Sequence, residues 1–200
     1  QYNGTAVNNM AVPFAGLWNM DDNNLAANPL NGGPAVFYAR FPDLTISPLE
    51  AALRQEPTFL MMWPGMQDIY NWASNGGTSA LPDAGAFRFT LDSILAAATA
   101  NGAKGVLANI PDIRTMPFFT TIPSQSLELD AALADSLNDI YALANINVGF
   151  EPGANGFIVA DAASPNGFRQ LAENEYLTLT VPLDSMRCFL YGVLFQLIGD

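Results

Sequence analysis

Polar side chains follow an apolar run at residues 63–72, WPGMQDIYNW, where a Pro-Gly pair stops a predicted strand. Gln67 and Asp68 come directly after that pair, and Gly16 follows an earlier predicted strand. A glycine N–H and a side-chain amide aimed at one point can hold a developing oxyanion, and loss of one such donor costs about 3 to 4 kcal/mol. Gly16 and Gln67 are therefore candidate oxyanion donors. Asp68 is a supporting residue, expected to accept backbone N–H bonds where a helix starts.

Purely structural roles would account for the same residues. Gly16 would permit a turn, and Gln67 would cap the following helix or face solvent. The hypothesis requires both donors to reach one cavity beyond the sheet, within about 12 Å of each other.

The first 112 residues predict the elements that would position these side chains. Strands are predicted at residues 7–12, 58–63 and 104–110, and helices at residues 46–55 and 82–101. Strand, helix, strand, helix, strand in this order is typical of a parallel βαβ sheet, whose ligand crevice lies beyond the carboxyl ends of the strands. The continuous apolar run at residues 58–63 predicts a strand covered on both faces. The predicted fold class is α/β with a parallel sheet.

A different pattern follows in the C-terminal half. Residues 127–145 predict an amphipathic helix, and residues 156–160 and 176–181 predict two strands separated by a turn-rich loop at 163–167. We interpret residues 113–185 as a helix and hairpin insertion within a single α/β domain that spans residues 1–200.

Composition excludes several classes of function. Seven Lys and Arg residues against nineteen Asp and Glu residues give a net charge of −12, without a basic stripe, and this argues against nucleic acid as a partner. No apolar run reaches the roughly 18 to 20 residues that span a bilayer. Histidine is absent, which removes the usual general base of hydrolases and the commonest zinc ligand. Cys188 is the only cysteine and is expected to be a small buried hydrophobe. The sequence predicts no cofactor and no metal.

Other chemistries are weaker candidates. Lys104 is the only lysine, but it starts a predicted strand, away from the crevice where a Ser-Lys pair would act. Residues 21–24, DDNN, lack the spacing and terminal Glu of a calcium loop and predict an exposed polar loop. Nine aromatic residues near the strand ends could pack in the core or line an apolar ligand site. They are Trp18, Phe37, Tyr38, Phe41, Trp63, Tyr70, Trp72, Phe118 and Phe119.

Several segments, in order along most of the chain, resemble successive blocks of the SGNH (GDSL) hydrolase superfamily. The blocks are residues 8–13 (NNMAVP), 57–68 (PTFLMMWPGMQD) and 101–112 (NGAKGVLANIPD). The likeness is closest to the large lipoprotein members found in Bacteroidetes. Residues 167–170 and 177–185, with Cys188, resemble the insertion that this branch carries before its last catalytic block.

The resemblance implies a flavodoxin-like three-layer α/β/α fold and ester hydrolysis by a Ser, His, Asp set. The Gly-Asp-Ser and Asp-x-x-His blocks of the family are absent from residues 1–200, and we interpret the chain as an internal fragment that carries the oxyanion side of the site. Two positions depart from the family pattern. Phe14 stands where a glycine follows the Val-Pro pair, and Gln67 replaces an asparagine whose amide is one methylene closer to the backbone.

Two functions are compatible with these observations. The first is an esterase or lipase-like enzyme that acts on an ester or lipid-like small molecule. The second is a catalytically inactive binding or scaffolding subunit of an outer-membrane assembly, with an outer-membrane protein as its partner. The resemblance places either of them in the periplasm or at the cell surface, associated with the outer membrane.

Overall fold

The computed structural model describes residues 8–27, 32–39, 41, 43–165 and 167–183. The chain divides into two compact units, Gln1–Ile113 and Arg114–Asp200. The division falls where the predicted insertion at residues 113–185 begins, and the assignment of that segment as an insertion stays a prediction. Cys188 lies outside the described residues.

The N-terminal unit contains a parallel strand pair, one 3-10 helix and four α-helices in its described part. A 3-10 helix, Leu17–Asp21, comes first, followed by α1 (Gly32–Tyr38), α2 (Pro48–Leu53), β1 (Phe59–Met62), α3 (Met66–Ser74), α4 (Ala84–Thr99) and β2 (Lys104–Leu107). The strands β1 and β2 pair in parallel, with Phe59 opposite Lys104 and Met62 opposite Leu107. The two later strands predicted in this unit are thereby confirmed, with their parallel direction.

Local sequence signals set the bounds of α2 and α4. The hydroxyl of Ser47 accepts a hydrogen bond from the Glu50 N–H at 3.1 Å, and Pro48 occupies the first turn of α2. The carboxylate of Asp83 accepts from the Ala86 N–H at 2.8 Å and starts α4. Gly102 follows α4 with φ +81°, the left-handed backbone that favours glycine. Both predicted helices are confirmed.

Two predictions in this unit are wrong. Residues 8–12, the described part of the predicted strand 7–12, have no strand pairing and end in a turn. The strand β1 is covered on one face only, because Phe59 and Met61 remain 55% and 81% exposed. All four residues of β2 are exposed as well. The apolar run indicated a strand correctly, but the described residues supply no layer over the second face of the pair.

The C-terminal unit consists of short antiparallel strand pairs around a helix. A 3-10 helix at Ile113–Thr115 begins at the last residue of the N-terminal unit. The elements that follow are α5 (Pro117–Thr120), β3 (Leu127–Leu129), α6 (Ala131–Leu143), β4 (Gly153–Asn155), β5 (Ile158–Ala160) and β6 (Phe168–Gln170). The strand β3 pairs with β4, and β5 pairs with β6. Every sheet among the described residues has two strands. The structure is therefore mixed α/β.

One prediction in this unit is confirmed except at its start, and another fails. The predicted helix 127–145 is present as α6 over Ala131–Leu143, but its first residues, 127–129, form the strand β3. The Asp130 carboxylate accepts a hydrogen bond from the Leu133 N–H at 2.8 Å and starts the helix there. The predicted strand 176–181 is irregular, with a turn at residues 179–180. The strand β5 pairs instead with β6, across the predicted turn at 163–167.

Burial shows which of the nine aromatic residues pack in the core. In the N-terminal unit, Leu17, Leu49 and Ile94 form a buried cluster, and Tyr38 and Phe41 belong to a second one. Phe119 is buried in the C-terminal unit. Trp18 and Trp63, at 41% and 57% exposed, are not core residues. No helix in the described part of the chain has the length and apolarity needed to cross a membrane.

Candidate functional site

The ends of β1 and β2 meet around Gly65. Gly65 caps the N-terminus of α3 with φ +86°. A Cβ at this position would lie 2.5 Å from Phe87 Cζ and 2.8 Å from Ile110 Cδ1. The indole Nε1 of Trp63 donates to the carbonyl oxygen of Asn109 at 3.1 Å, directly beyond the two strands. The structure thus brings together the ends of two of the three strands predicted in this unit.

Asp68 joins this place to the third segment, the turn that holds Gly16. Its Oδ2 accepts a hydrogen bond from the Leu17 N–H at 2.7 Å, although the two residues are 51 positions apart. The Asp68 carboxyl also lies so close to Gly16 that a Cβ there would overlap Oδ1. Asp68 occupies the first turn of α3, where the positive end of the helix dipole favours a carboxylate. The structure therefore brings Gly16 and Asp68 into direct contact.

Both candidate donors make local hydrogen bonds in this structure. The Gly16 N–H donates to Asn19 Oδ1 at 2.9 Å. The Gln67 amide donates from Nε2 to Asn71 Oδ1 at 2.7 Å, one turn along α3. To bind an anion, each donor would have to exchange its asparagine partner for the ligand.

Asn19 and Asn71 are the residues that sequence reasoning missed. Each had a signal in its spacing. Asn19 stands three residues after Gly16, as the third position of a capping arrangement, and Asn71 stands four residues after Gln67 on the same helix face.

Burial raises the pKa of the Asp68 carboxyl above its ordinary value, and the hydrogen bond from the Leu17 N–H opposes this with a smaller effect. Desolvation disfavours the charged carboxylate, while a donated hydrogen bond favours it. The folded protein therefore binds a proton at Asp68 more tightly than the unfolded chain does.

This sign predicts a pH dependence of stability. Asp68 should favour the folded state most below the ordinary Asp pKa of about 3.9, and this contribution should be lost as pH rises through the higher folded pKa. Urea unfolding of the parent and of Asp68→Asn between pH 3.5 and 7 measures it. The free energy of unfolding of the parent minus that of the variant should fall with increasing pH. Taking the difference cancels Asp43, Asp161 and other carboxyls with lowered pKa. A flat or rising difference would contradict the assignment.

Exposed aromatic rings flank the same turn. Trp18 stacks edge-on against Phe87 with ring centroids 6.0 Å apart, and Phe14 lies against Phe37 at 5.6 Å. The Phe14 ring is 55% exposed, and its backbone has φ +64°. A left-handed backbone is unusual for a bulky residue and costs about 1 to 2 kcal/mol.

The weaker candidates do not form sites. Lys104 stands at the start of β2, opposite Phe59. The Asp22 carboxylate accepts from the Asn24 N–H at 2.8 Å, which makes the segment 21–24 an Asx turn. In the parts of the chain that the structure describes, no three acidic or thiol side chains come together as metal ligands.

No family model, curated protein or solved structure matches this chain. A function for this site must therefore be argued from its own residues and their geometry.

Proposed function

We propose that this chain forms the oxyanion side of an SGNH-type ester hydrolase, on a flavodoxin-like three-layer α/β/α fold. The observation that carries the proposal is the backbone of Phe14. The SGNH pattern has a glycine directly after the Val-Pro pair, and Phe14 follows Val12 and Pro13 with φ +64°. The turn has the conformation that a glycine would adopt without strain, although the side chain has changed.

The strand ends support the same proposal. In open parallel sheets, ligands bind beyond the carboxyl ends of the strands. At the end of β1, Gly65 turns the chain into α3, and Asp68 in the first turn of α3 holds the backbone of Leu17. Gly16 also lies against the carboxyl of Asp68, which stands in the first turn of α3. The turn and the helix start are thus tied together where an oxyanion hole would form.

In the proposed site, the Gly16 N–H and Gln67 Nε2 donate to the carbonyl oxygen of an ester as it gains negative charge. Each donor leaves an asparagine side chain to do so, and Asp68 keeps the turn in place. The exposed rings of Phe14 and Trp18 would contact the apolar part of an ester or lipid-like substrate. A location in the periplasm or at the cell surface, and an outer-membrane partner, follow from the resemblance alone.

A catalytically inactive binding or scaffolding subunit is the second candidate, and one observation favours it. Both donors are already engaged, at 2.9 Å to Asn19 and 2.7 Å to Asn71. In a hydrolase that geometry must open with each turnover, whereas in a scaffold it would simply stabilise the turn and the helix.

A fluorophosphonate probe distinguishes the two candidates in the full-length protein. The hydrolase should be labelled at its serine, and Gln67→Ala should slow labelling by about 100-fold, as expected for loss of one oxyanion donor. Asn71→Ala is the matched control, because it removes the residue that holds the Gln67 amide and should preserve labelling. A folded full-length protein that is not labelled would overturn the hydrolase proposal in favour of the scaffold. Equal labelling rates for the parent and Gln67→Ala would overturn the role of Gln67.

A further inference from the structure

An irregular segment follows α6 in the C-terminal unit, and the Val148 N–H donates to the Ile146 carbonyl at 3.1 Å in a tight turn within it. Its side chains alternate over residues 146–151, as they do along a β-strand. Ile146, Val148 and Phe150 are buried in the core of this unit, and Asn147, Gly149 and Glu151 are exposed. The exposed row faces a cavity.

Side-chain amides take the place of a neighbouring strand. Asn138 donates to the Phe150 carbonyl at 2.9 Å and accepts from the Phe150 N–H at 2.8 Å. Asn155 holds the Glu151 carbonyl at 2.7 Å and the Glu151 N–H at 3.0 Å in the same way. The backbone N–H and C=O groups of Phe150 and Glu151 are therefore both held by a side-chain amide. The end of the segment, residues 149–151, is thus held by side-chain amides.

A third amide closes the arrangement across the cavity. Gln170 donates from Nε2 to the Gly149 carbonyl at 2.5 Å and accepts at Oε1 from the Gly156 N–H at 2.8 Å. A binding site whose walls are held by such supporting contacts loses little conformational entropy when a ligand arrives.

The cavity is a groove that is largely open to solvent, with a volume of about 440 Å³. Its lining is more polar than apolar and comes from the segment 146–151, β4 and β6. The lining residues are Asn147, Val148, Gly149, Glu151, Ala154, Asn155, Arg169 and Gln170.

Negative charges outnumber positive charges around the cavity. The Arg169 guanidinium is already paired with Asp161 at 2.7 Å and with Glu175 through two contacts at 2.5 and 2.6 Å. Two carboxylates therefore outweigh its single positive charge. Within the described residues, the carboxylate of Glu151 has no hydrogen-bond or ion-pair partner, and it adds a third negative charge. An anion would meet net repulsion here, and a cation would meet attraction.

We infer that this cavity binds a small organic cation that carries a primary ammonium group. The ammonium group donates to the Glu151 carboxylate, and the clamped segment provides a fixed wall. The site is independent of the ester-hydrolase proposal, since all of its residues belong to the C-terminal unit.

Titration with n-butylammonium, followed by NMR of the isotopically labelled full chain, tests this inference. The amide resonances of Asn147, Gly149 and Glu151 should shift and saturate together. Glu151→Gln should weaken binding about fivefold or more, the factor that one charge contact at 4 Å in water represents. The parent and variant should share one melting temperature, because the Glu151 side chain holds no other described group.

Three results would overturn the inference. Glu128→Gln removes an exposed carboxylate on β3 and should leave the affinity unchanged, so an equal loss in both variants would indicate general electrostatic attraction. Butyrate that binds as well as butylammonium would refute the charge argument. Shifts scattered over the acidic surface, without saturation, would show that no defined site exists.

Discussion

Gly65→Ala is expected to lower the free energy of unfolding by about 2 to 3 kcal/mol. The left-handed backbone, φ +86°, costs any residue with a Cβ about 1 to 2 kcal/mol. The added Cβ would also lie 2.5 Å from Phe87 Cζ, so the ring must move. Trp18 packs edge-on against that ring, and its displacement adds about 1 kcal/mol in a packed region.

Gly102→Ala is the matched control for this prediction. Gly102 has nearly the same backbone, φ +81°, but a Cβ there would have no atom within 4 Å. This variant should lose only the conformational part, about 1 to 2 kcal/mol. Urea unfolding of the parent and both variants gives the comparison. Equal losses at the two positions would mean that the strand ends are not crowded around Gly65, which would remove a main support of the candidate site.

The elements that sequence reasoning placed correctly are those with local physical causes. Ser47 and Pro48 start α2, and Gly102 ends the turn after α4, because each residue acts on backbone groups within a few positions of itself. The apolar runs that became β1 and β2 were also recognisable without knowledge of their partners. Elements of this kind need no long-range information.

The predictions that failed depended on strand pairing, or on segments whose apolar residues fit both the helical and the strand periodicity. Leu127 and Leu129 fit both a helix face and an alternating strand, and pairing of β3 with β4 decided for the strand. The sequence offered residues 176–181 as the strand after β5, whereas the structure pairs β5 with β6 at residues 168–170. Cover over both faces of β1 was predicted from the continuous apolar run, and an apolar run does not show which element would lie over Phe59 and Met61. Sequence pattern alone cannot weigh these tertiary contacts.

The candidate site divides in the same way. Gly16 and Asp68 were singled out by their places after predicted strands, and the structure joins them although they are far apart in sequence. The sequence pattern did not predict that both candidate donors already have hydrogen-bond partners. Hydrogen bonds from Gly16 to Asn19 and from Gln67 to Asn71 compete with any ligand, and they depend on side-chain rotamers that spacing does not determine.

At position 14, glycine is expected to give a more stable protein than alanine, by about 1 kcal/mol. In ordinary strand or helix positions the order is reversed by about 0.5 to 1 kcal/mol, because glycine loses more backbone entropy on folding. The left-handed φ of +64° inverts the order, since alanine keeps the steric cost of a Cβ and glycine does not. Phe14→Gly and Phe14→Ala remove the same ring and its contact with Phe37, so their difference isolates the backbone.

Urea unfolding of the two variants and the parent measures this difference. The parent should lie near the glycine variant, because its ring contact with Phe37 offsets part of the backbone strain, and an exposed ring contributes little more. An alanine variant as stable as the glycine variant, or more so, would show that residue 14 is not left-handed in solution. That result would also remove the observation on which the SGNH proposal rests, because a turn without a glycine-like backbone has no particular likeness to the one that follows the Val-Pro pair in that family.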